Sequence, residues 1–468
     1  MMTKSQFDQI VEDPNFCAYP FVQISTVPAG FMRPCCFYAG TLKNDDSSNA
    51  NVSTNTFQNV WNNADFRKIR SQMINGKVVR ECKQCHVEDS FGGDSMRKRS
   101  LREWSWRSDF RQSVEQAHAT DGRIESSVKF LELKPGNLCN LKCRMCNQFD
   151  SSKYASELKE IGAQFKGEKL TGNPRIFDEH NFEFDFDLSK MADWRNNTHI
   201  WSSFEKLAPE LEILSFAGGE PTLIDEVYKA LKFCVENSYA KNITVYFASN
   251  FTQKMDRFLE LAKNFKRFDF IASLDGKDHV QEYIRFPSKW SEVAENFAKT
   301  TQFASQHKAI NVMVNITLNI YNILYFTEFL IWLEQDAFRA GLKEDPYNLN
   351  ILMYPEYLSH KLLPDSLRTE CLSKIQKYAD QSWVVREKPH IAARIVQLKE
   401  MIASKPEADI NHQRLLGEFW IYTKILDQSR KQSFAKSFSA LSEAIEENLK
   451  GFGFEFAKAR ENFKIAEI

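Results

Sequence analysis

The chain has no uninterrupted apolar run of about eighteen residues, which argues against a bilayer-spanning helix. Met1 to Asp13 lacks the apolar segment of an export signal, so a cytoplasmic location is expected. Charge of one sign is missing too: 61 Lys and Arg against 62 Asp and Glu leave a net charge of −1. Bulk electrostatics therefore give no reason to expect a nucleic-acid partner. The chain contains neither a sequence repeat nor a low-complexity tract. Its 43% hydrophobic and 26% charged residues are ordinary for a soluble globular protein. At 468 residues the length suggests about three domains.

The ten cysteines are unevenly placed. In a reducing compartment they favour metal or cluster ligation over disulfides. Cys17, Cys35, Cys36, Cys82 and Cys85 come early, and Cys139, Cys143 and Cys146 sit inside eight residues. Only Cys234 and Cys371 stand alone. Each of these two lies on an apolar helical stripe (Ile224, Val227, Leu231, Cys234; Leu367, Cys371, Ile375), which marks it as core packing.

The stretch Cys139-Asn140-Leu141-Lys142-Cys143-Arg144-Met145-Cys146 has the spacing C-x3-C-x2-C. Val128 to Leu133 before it reads as a buried strand, and Pro135-Gly136-Asn137 breaks that strand into a loop. Ser151-Ser152 followed by Lys153 to Ile161 reads as a capped helix. Three thiolates on one short loop hold three corners of a cubane cluster and leave one iron for an exogenous ligand. Zinc is the competing reading, but a structural zinc site takes four ligands. The loop resembles the signature of the radical S-adenosylmethionine (radical SAM) superfamily, where it follows the first strand of a partial barrel. The resemblance implies a [4Fe-4S] cluster whose open iron is chelated by S-adenosylmethionine.

Strand candidates recur at Leu211–Ala217, Ile243–Ala248, Phe268–Leu274, Ile310–Leu318 and Leu349–Tyr354. Amphipathic helices such as Leu223 to Tyr239 and Lys254 to Phe265 fall between them. This alternation predicts an α/β fold with parallel strands and right-handed crossovers. The resemblance makes it a partial (β/α)6 TIM-like barrel, with active-site groups at the carboxyl ends of the strands.

Several strand ends match the family. Gly218-Gly219-Glu220-Pro221 resembles its G-G-E motif, which implies that Glu220 accepts from the ammonium group of S-adenosylmethionine. Ser249-Asn250 resembles the Thr-Asn-Gly turn, although Phe251 replaces the usual glycine. Ser273 and Arg285 match a serine and arginine that meet the cofactor's carboxylate or ribose; the bland alternative is an N-cap and a surface ion pair. The resemblance places Met145 in the slot where relatives often set an aromatic residue against the adenine. Without the resemblance, Gly-Gly-Glu-Pro is only a turn into a helix.

The early cysteines follow C-x12-G-x4-C from Cys17 through Gly30 to Cys35, then Cys82-x2-Cys85. Phe21 to Val27 and Phe31 to Phe37 read as a hairpin turning at Pro28-Ala29-Gly30, which brings Cys17 and Cys35 together. Thr56 to Met73 reads as helical. The module resembles the auxiliary-cluster domains called SPASM and twitch, with Trp61 and Arg70 similarly placed. No further cysteine lies between Val87 and Arg97, so the resemblance implies the one-cluster twitch version. Its ligands would be Cys17, Cys35, Cys82 and Cys85, with Cys36 as the alternative to Cys35. Unlike its relatives, the module precedes the barrel. Zinc again competes. Haem attachment at the C-x-x-C-H of Cys82 to His86 follows export, for which the chain shows no signal.

The expected organisation is an auxiliary [4Fe-4S] domain over 1–118, a radical SAM core over 119–356 and a helical C-terminal domain over 357–468. An insertion over 166–201 includes the alternating run Phe182 to Asp187, an edge strand or lid. Leu415 to Leu426 and Phe434 to Leu449 read as helices of the last domain. By resemblance the protein uses two [4Fe-4S] clusters and S-adenosylmethionine to make a 5′-deoxyadenosyl radical. The radical oxidatively modifies a peptide or protein side chain, with the auxiliary cluster as electron acceptor. An external one-electron donor of flavodoxin or ferredoxin type is implied, and no membrane partner. The alternatives are dehydrogenation of a small sugar or alcohol, and a non-catalytic zinc or iron–sulfur protein.

Overall fold

A computed structural model describes residues 2–90, 93–163, 194–352, 354–404 and 410–466. The run Phe182 to Asp187 and most of the predicted insertion lie outside the described residues. The chain divides into two compact units. The first comprises Met1–Leu138, Ser189–Ala248 and Glu260–Phe268; the second comprises Cys139–Leu188, Ser249–Leu259 and Asp269–Ile468.

In the first unit, β1 (Gln23–Thr26) and β2 (Met32–Arg33) form the hairpin. Gly30, at φ +82, makes its turn and donates to the Val27 carbonyl at 2.8 Å. The second strand is shorter than predicted, because Pro34 has no N–H to continue the ladder. β1 then pairs in parallel with β3 (Phe130–Leu133), β3 with β4 (Ile213–Phe216) and β4 with β5 (Thr244–Ser249). The helix Asp225–Glu236 makes the crossover from β4 to β5, its stripe of Val227, Leu231 and Cys234 fully buried.

The register gives the sheet two different faces. Ile24, Leu131, Leu214 and Val245 stand side by side and are wholly buried. On the other face Arg33, Ser25, Glu132, Ser215 and Tyr246 form one transverse row across the five strands. Parallel sheets are usually apolar on both faces, so this polar row sets the second face apart from the first.

The predicted helix Thr56 to Met73 is two helices, Phe57–Trp61 and Ala64–Ile74. Asn63 causes the break: its side chain accepts from the Phe66 N–H at 2.8 Å and caps the second helix. Arg70 and Trp61 prove to be a stitch. The buried Arg70 guanidinium donates to the carbonyls of Pro20, Trp61 and Gly122, at 2.7, 2.8 and 3.2 Å, and lies over the Trp61 ring.

β6 (Arg267–Ser273) carries the chain from the first unit into the second. There β7 (Ile310–Leu318) pairs in parallel with β8 (Tyr347–Ile351), crossing over through the helix Phe326–Leu333. β8 begins two residues before the predicted strand and stops at Ile351 rather than Tyr354. The remainder is helical, as expected. The helix Ile410–Arg430 is buried on nearly every side of its second half. The predicted helix Phe434 to Leu449 is interrupted at Phe438, which separates Phe434–Ser437 from Ser439–Gly451. Cys371 is buried as predicted and donates to the Ile323 carbonyl.

His360 in this unit carries a testable pH effect. It is 1% exposed, and neither ring nitrogen has a hydrogen-bond partner. Burial, with Lys361 and Arg368 nearby, pushes its pKa from an ordinary 6.5 down to about 4. The unfolded chain therefore takes up this proton first as pH falls. Stability is full above about pH 6.5 and declines toward pH 4, by about 3 kcal/mol in all. Chemical denaturation across this range should show the loss in the native protein, and His360→Leu should flatten it.

Candidate active site

Cys139, Leu141 and Cys143 form a small buried cluster against which Met145 and Cys146 pack. The loop that carries them is held at both ends. Ser151 caps the following helix, Ser152–Ala163, by accepting from the Tyr154 N–H, and its hydroxyl donates to the Leu141 carbonyl at 2.6 Å. Ser152 accepts from the Cys139 N–H at 3.2 Å. Further along, Lys142 N–H donates to the Phe286 carbonyl and Arg144 N–H to that of Ile284, both at 2.8 Å. This two-rung pairing places Arg285 opposite Cys143.

The Arg285 guanidinium lies 3.9 Å from the Cys143 sulfur and donates to Asp275 at 2.6 Å. Its side chain is 12% exposed and that of Asp275 is fully buried. The surface ion pair considered for Arg285 is thus a buried one, since the loop pairing carries the arginine inward. Asp275 also accepts from the Thr317 N–H at the end of β7, at 2.7 Å. Ser273 ends β6 half-buried and caps no helix; Lys277 holds the N-cap position of Asp278–Ile284. Burial raises the Cys143 thiol while Arg285 opposes the rise, and Cys146 is raised further by burial and by Asp150. Burial opposes the Arg285 charge as well, but Asp275 and Cys143 hold its pKa above the ordinary guanidinium value. A cluster bound here would take these groups as thiolates, with their protons released to solvent.

Asn250 braces the start of the same loop. Its amide donates to the Asn140 side chain at 2.9 Å, its carbonyl oxygen accepts from Thr252, and Asn140 donates to the Thr252 hydroxyl at 2.7 Å. Phe251, where the expected turn has glycine, takes φ +59, a region that residues with side chains uncommonly adopt. Ser249 accepts from its N–H at 3.1 Å and Asn296 donates to its carbonyl at 2.9 Å, which holds the residue there.

In the first unit the two glycines of Gly218-Gly219-Glu220 are required by close approach. Gly218 has φ +101, and a Cβ on Gly219 would sit 2.2 Å from the Leu138 carbonyl oxygen. Glu220 N–H donates to that carbonyl at 2.7 Å, which fixes the turn against the residue preceding Cys139. The Glu220 carboxylate is 1% exposed and accepts from the Thr222 hydroxyl and N–H, while Pro221 opens a 3-10 turn.

A cavity of the first unit is lined by Cys17, Cys35, Cys82 and Cys85 together with Tyr19 and Arg97. Three segments supply the thiols: the stretch before β1, the end of the hairpin, and the 3-10 turn Arg80–Cys82 running into the helix Lys83–Ser90. Cys36 does not line it. Its thiol instead lies near Glu132 and Lys134. Burial pushes Cys17 up to about 11 and raises Cys35 and Cys82 as well. Among the described residues no three His, Cys, Asp or Glu side chains converge on one ion-sized point; the four thiols ring the cavity instead. Such a soft donor set suits a bound iron–sulfur group. Also among the described residues, no helix is long and apolar enough to cross a membrane.

Sequence reading missed Asp275, whose role depends on β7, and missed the polar row, which needs the strand register. Alternation in Gln23 to Ser25 was the available signal for the latter.

Residues 17–86 match the family model of the SPASM iron–sulfur cluster-binding domain. No curated protein matches the chain. Among solved structures, Streptococcus suis SuiB bound to S-adenosylmethionine is 13% identical, with 68% of this chain and 64% of that chain covered at TM-score 0.32. SuiB bound to the precursor peptide SuiA is 11% identical over the same shares at TM-score 0.30. Native anSMEcpe with bound AdoMet and Cp18Cys peptide is 15% identical, covering 53% and 58% at TM-score 0.30. The chain thus spans less than two thirds of the length of these three structures, and at such scores the assignment rests on its own residues. What the comparisons show for this chain is thus a match of residues 17–86 to the SPASM family of iron–sulfur cluster-binding domains.

Proposed function

We propose that the protein is a radical S-adenosylmethionine enzyme that oxidatively modifies a peptide or protein side chain. The observation that carries this reading is the two-rung pairing of Lys142 and Arg144 with Phe286 and Ile284, which presents Cys143 to Arg285 beside Cys139 and Cys146. Those three thiols would hold a [4Fe-4S] cluster, which when bound supplies reductive cleavage of the sulfonium cofactor. Arg285, aimed by Asp275, offers donors for a carboxylate, and within the first unit the buried Glu220 carboxylate is an acceptor held by Thr222. Met145 contributes a flexible apolar surface for a heteroaromatic ring. Burial of this loop keeps water from the reacting groups.

Cys17, Cys35, Cys82 and Cys85 would hold the second cluster, and a complete thiolate set suits electron acceptance rather than substrate binding. The polar row of Arg33, Ser25, Glu132, Ser215 and Tyr246 supplies hydrogen-bonding groups for a polar side chain.

Anaerobic reconstitution with iron and sulfide tests this. A brown protein with broad absorbance near ~400 nm, about eight irons per chain and dithionite-dependent formation of 5′-deoxyadenosine is expected. A colourless zinc protein that leaves S-adenosylmethionine intact would refute it.

A further inference from the structure

The residues between the loop cysteines point to a role for the C-terminal helices that no motif assigns. Lys142 and Arg144 flank Cys143 on the paired stretch, and their side chains engage partners from the helix Ile410–Arg430 and its surroundings. The Arg144 side chain is 0% exposed. It donates to Asp427 at 2.5 Å and to Gln432 at 3.0 Å, and it lies 3.7 Å from the Tyr283 ring centroid. The Tyr422 hydroxyl donates to the Arg144 backbone carbonyl at 2.5 Å. Asp427 is itself aimed by the Tyr283 hydroxyl and the Phe434 N–H, each at 2.6 Å. A second latch lies beside the first: Lys142 pairs with the buried Glu157 at 2.8 Å, and Arg430 pairs with the same carboxylate at 2.7 Å.

We propose that the helix Ile410–Arg430 is a clamp on the cluster loop, with Asp427 and Tyr422 as positioning residues for Cys143 and Cys146. A buried guanidinium is tolerated only with its counter-charge in place; without it the charged group is driven toward water. Arg144 lies directly between the two cysteines, so any movement of its backbone carries both thiols with it. Asp427 and Tyr422 thereby determine where the sulfurs point, from 283 and 278 residues away in sequence. This rests on the reading of the loop as a cluster site, and the test separates the two.

Full-length protein is reconstituted anaerobically, challenged with an iron chelator, and labelled with N-ethylmaleimide; mass spectrometry follows each cysteine in time. In Asp427→Asn, Cys143 and Cys146 should be labelled at least ~10-fold faster than in the native protein, with Cys17 and Cys35 unchanged. Asp427→Glu should bring the rates back to within ~3-fold. Tyr422→Phe, which removes one hydroxyl, should give a smaller acceleration confined to the same two thiols, and it decides the matter if Asp427→Asn does not fold. Unchanged labelling in the folded variants, or equal acceleration at all four thiols, overturns the clamp. If loop thiols in the native protein label without chelator, the cluster reading fails, while the ratio of variant to native rates still reads the clamp.

Discussion

Cys143→Ala is expected to abolish 5′-deoxyadenosine formation and to lower the iron content by about four per chain, leaving a second cluster in place. The middle cysteine of the loop is the most informative position because its surroundings are already organised without it. The backbone on either side is paired through Lys142 and Arg144, and both of those side chains are held in turn by Glu157 and Asp427. Truncating the largely buried side chain from CH2–SH to a methyl group leaves a small cavity costing about 1 kcal/mol, too little to unfold the unit. Arg285 keeps its ion pair with Asp275, so no buried charge is stranded. The four thiols of the other cavity belong to the first unit and should still bind their cluster. Iron analysis, the electron paramagnetic resonance signal of the reduced protein and product chromatography check each part. Persistence of cleavage in this variant would show that the loop was misassigned.

Cys35→Ala and Cys36→Ala are expected to differ sharply although the residues are neighbours. Cys35 lines the cavity with Cys17, Cys82 and Cys85, whereas the Cys36 thiol turns to Glu132 on β3. The two residues lie in the turn that follows β2, where the Tyr38 N–H donates to the Cys35 carbonyl at 3.3 Å, and of the two only Cys35 lines the cavity. Cys35→Ala should lose about four irons per chain and the oxidised product, but should still form 5′-deoxyadenosine in the presence of dithionite. Cys36→Ala should retain full iron and cleavage, since its thiol does not line the cavity. The opposite result would make Cys36 the ligand. Equal loss from both would point to a disturbed hairpin, which circular dichroism and thermal melting of the two variants would reveal.

Much of this was legible along the chain because the relevant information is local. Cysteine spacing, the Pro28-Ala29-Gly30 turn and the alternation of apolar residues in β7 are written over a few residues each. The breaks at Asn63 and Phe438 were harder to see, since helical periodicity runs through both and only the local backbone shows where the first helix of each pair ends. Spacing favours Cys35 over Cys36, but only the folded chain shows which of the two neighbours lines the cavity.

What the amino-acid sequence determined by itself was the chemistry on offer: which side chains are soft donors, how many stand together, and which loops carry them. What only the tertiary structure decided was direction. Arg285 faces Cys143 because Phe286 and Ile284 pair with the loop, and Arg144 is buried because a helix nearly three hundred residues later brings Asp427 to it. A thiol is a ligand by its atoms, which the sequence states outright. Where it points depends on packing and charge neutralisation between segments far apart in the chain, and these come into being only when the chain folds.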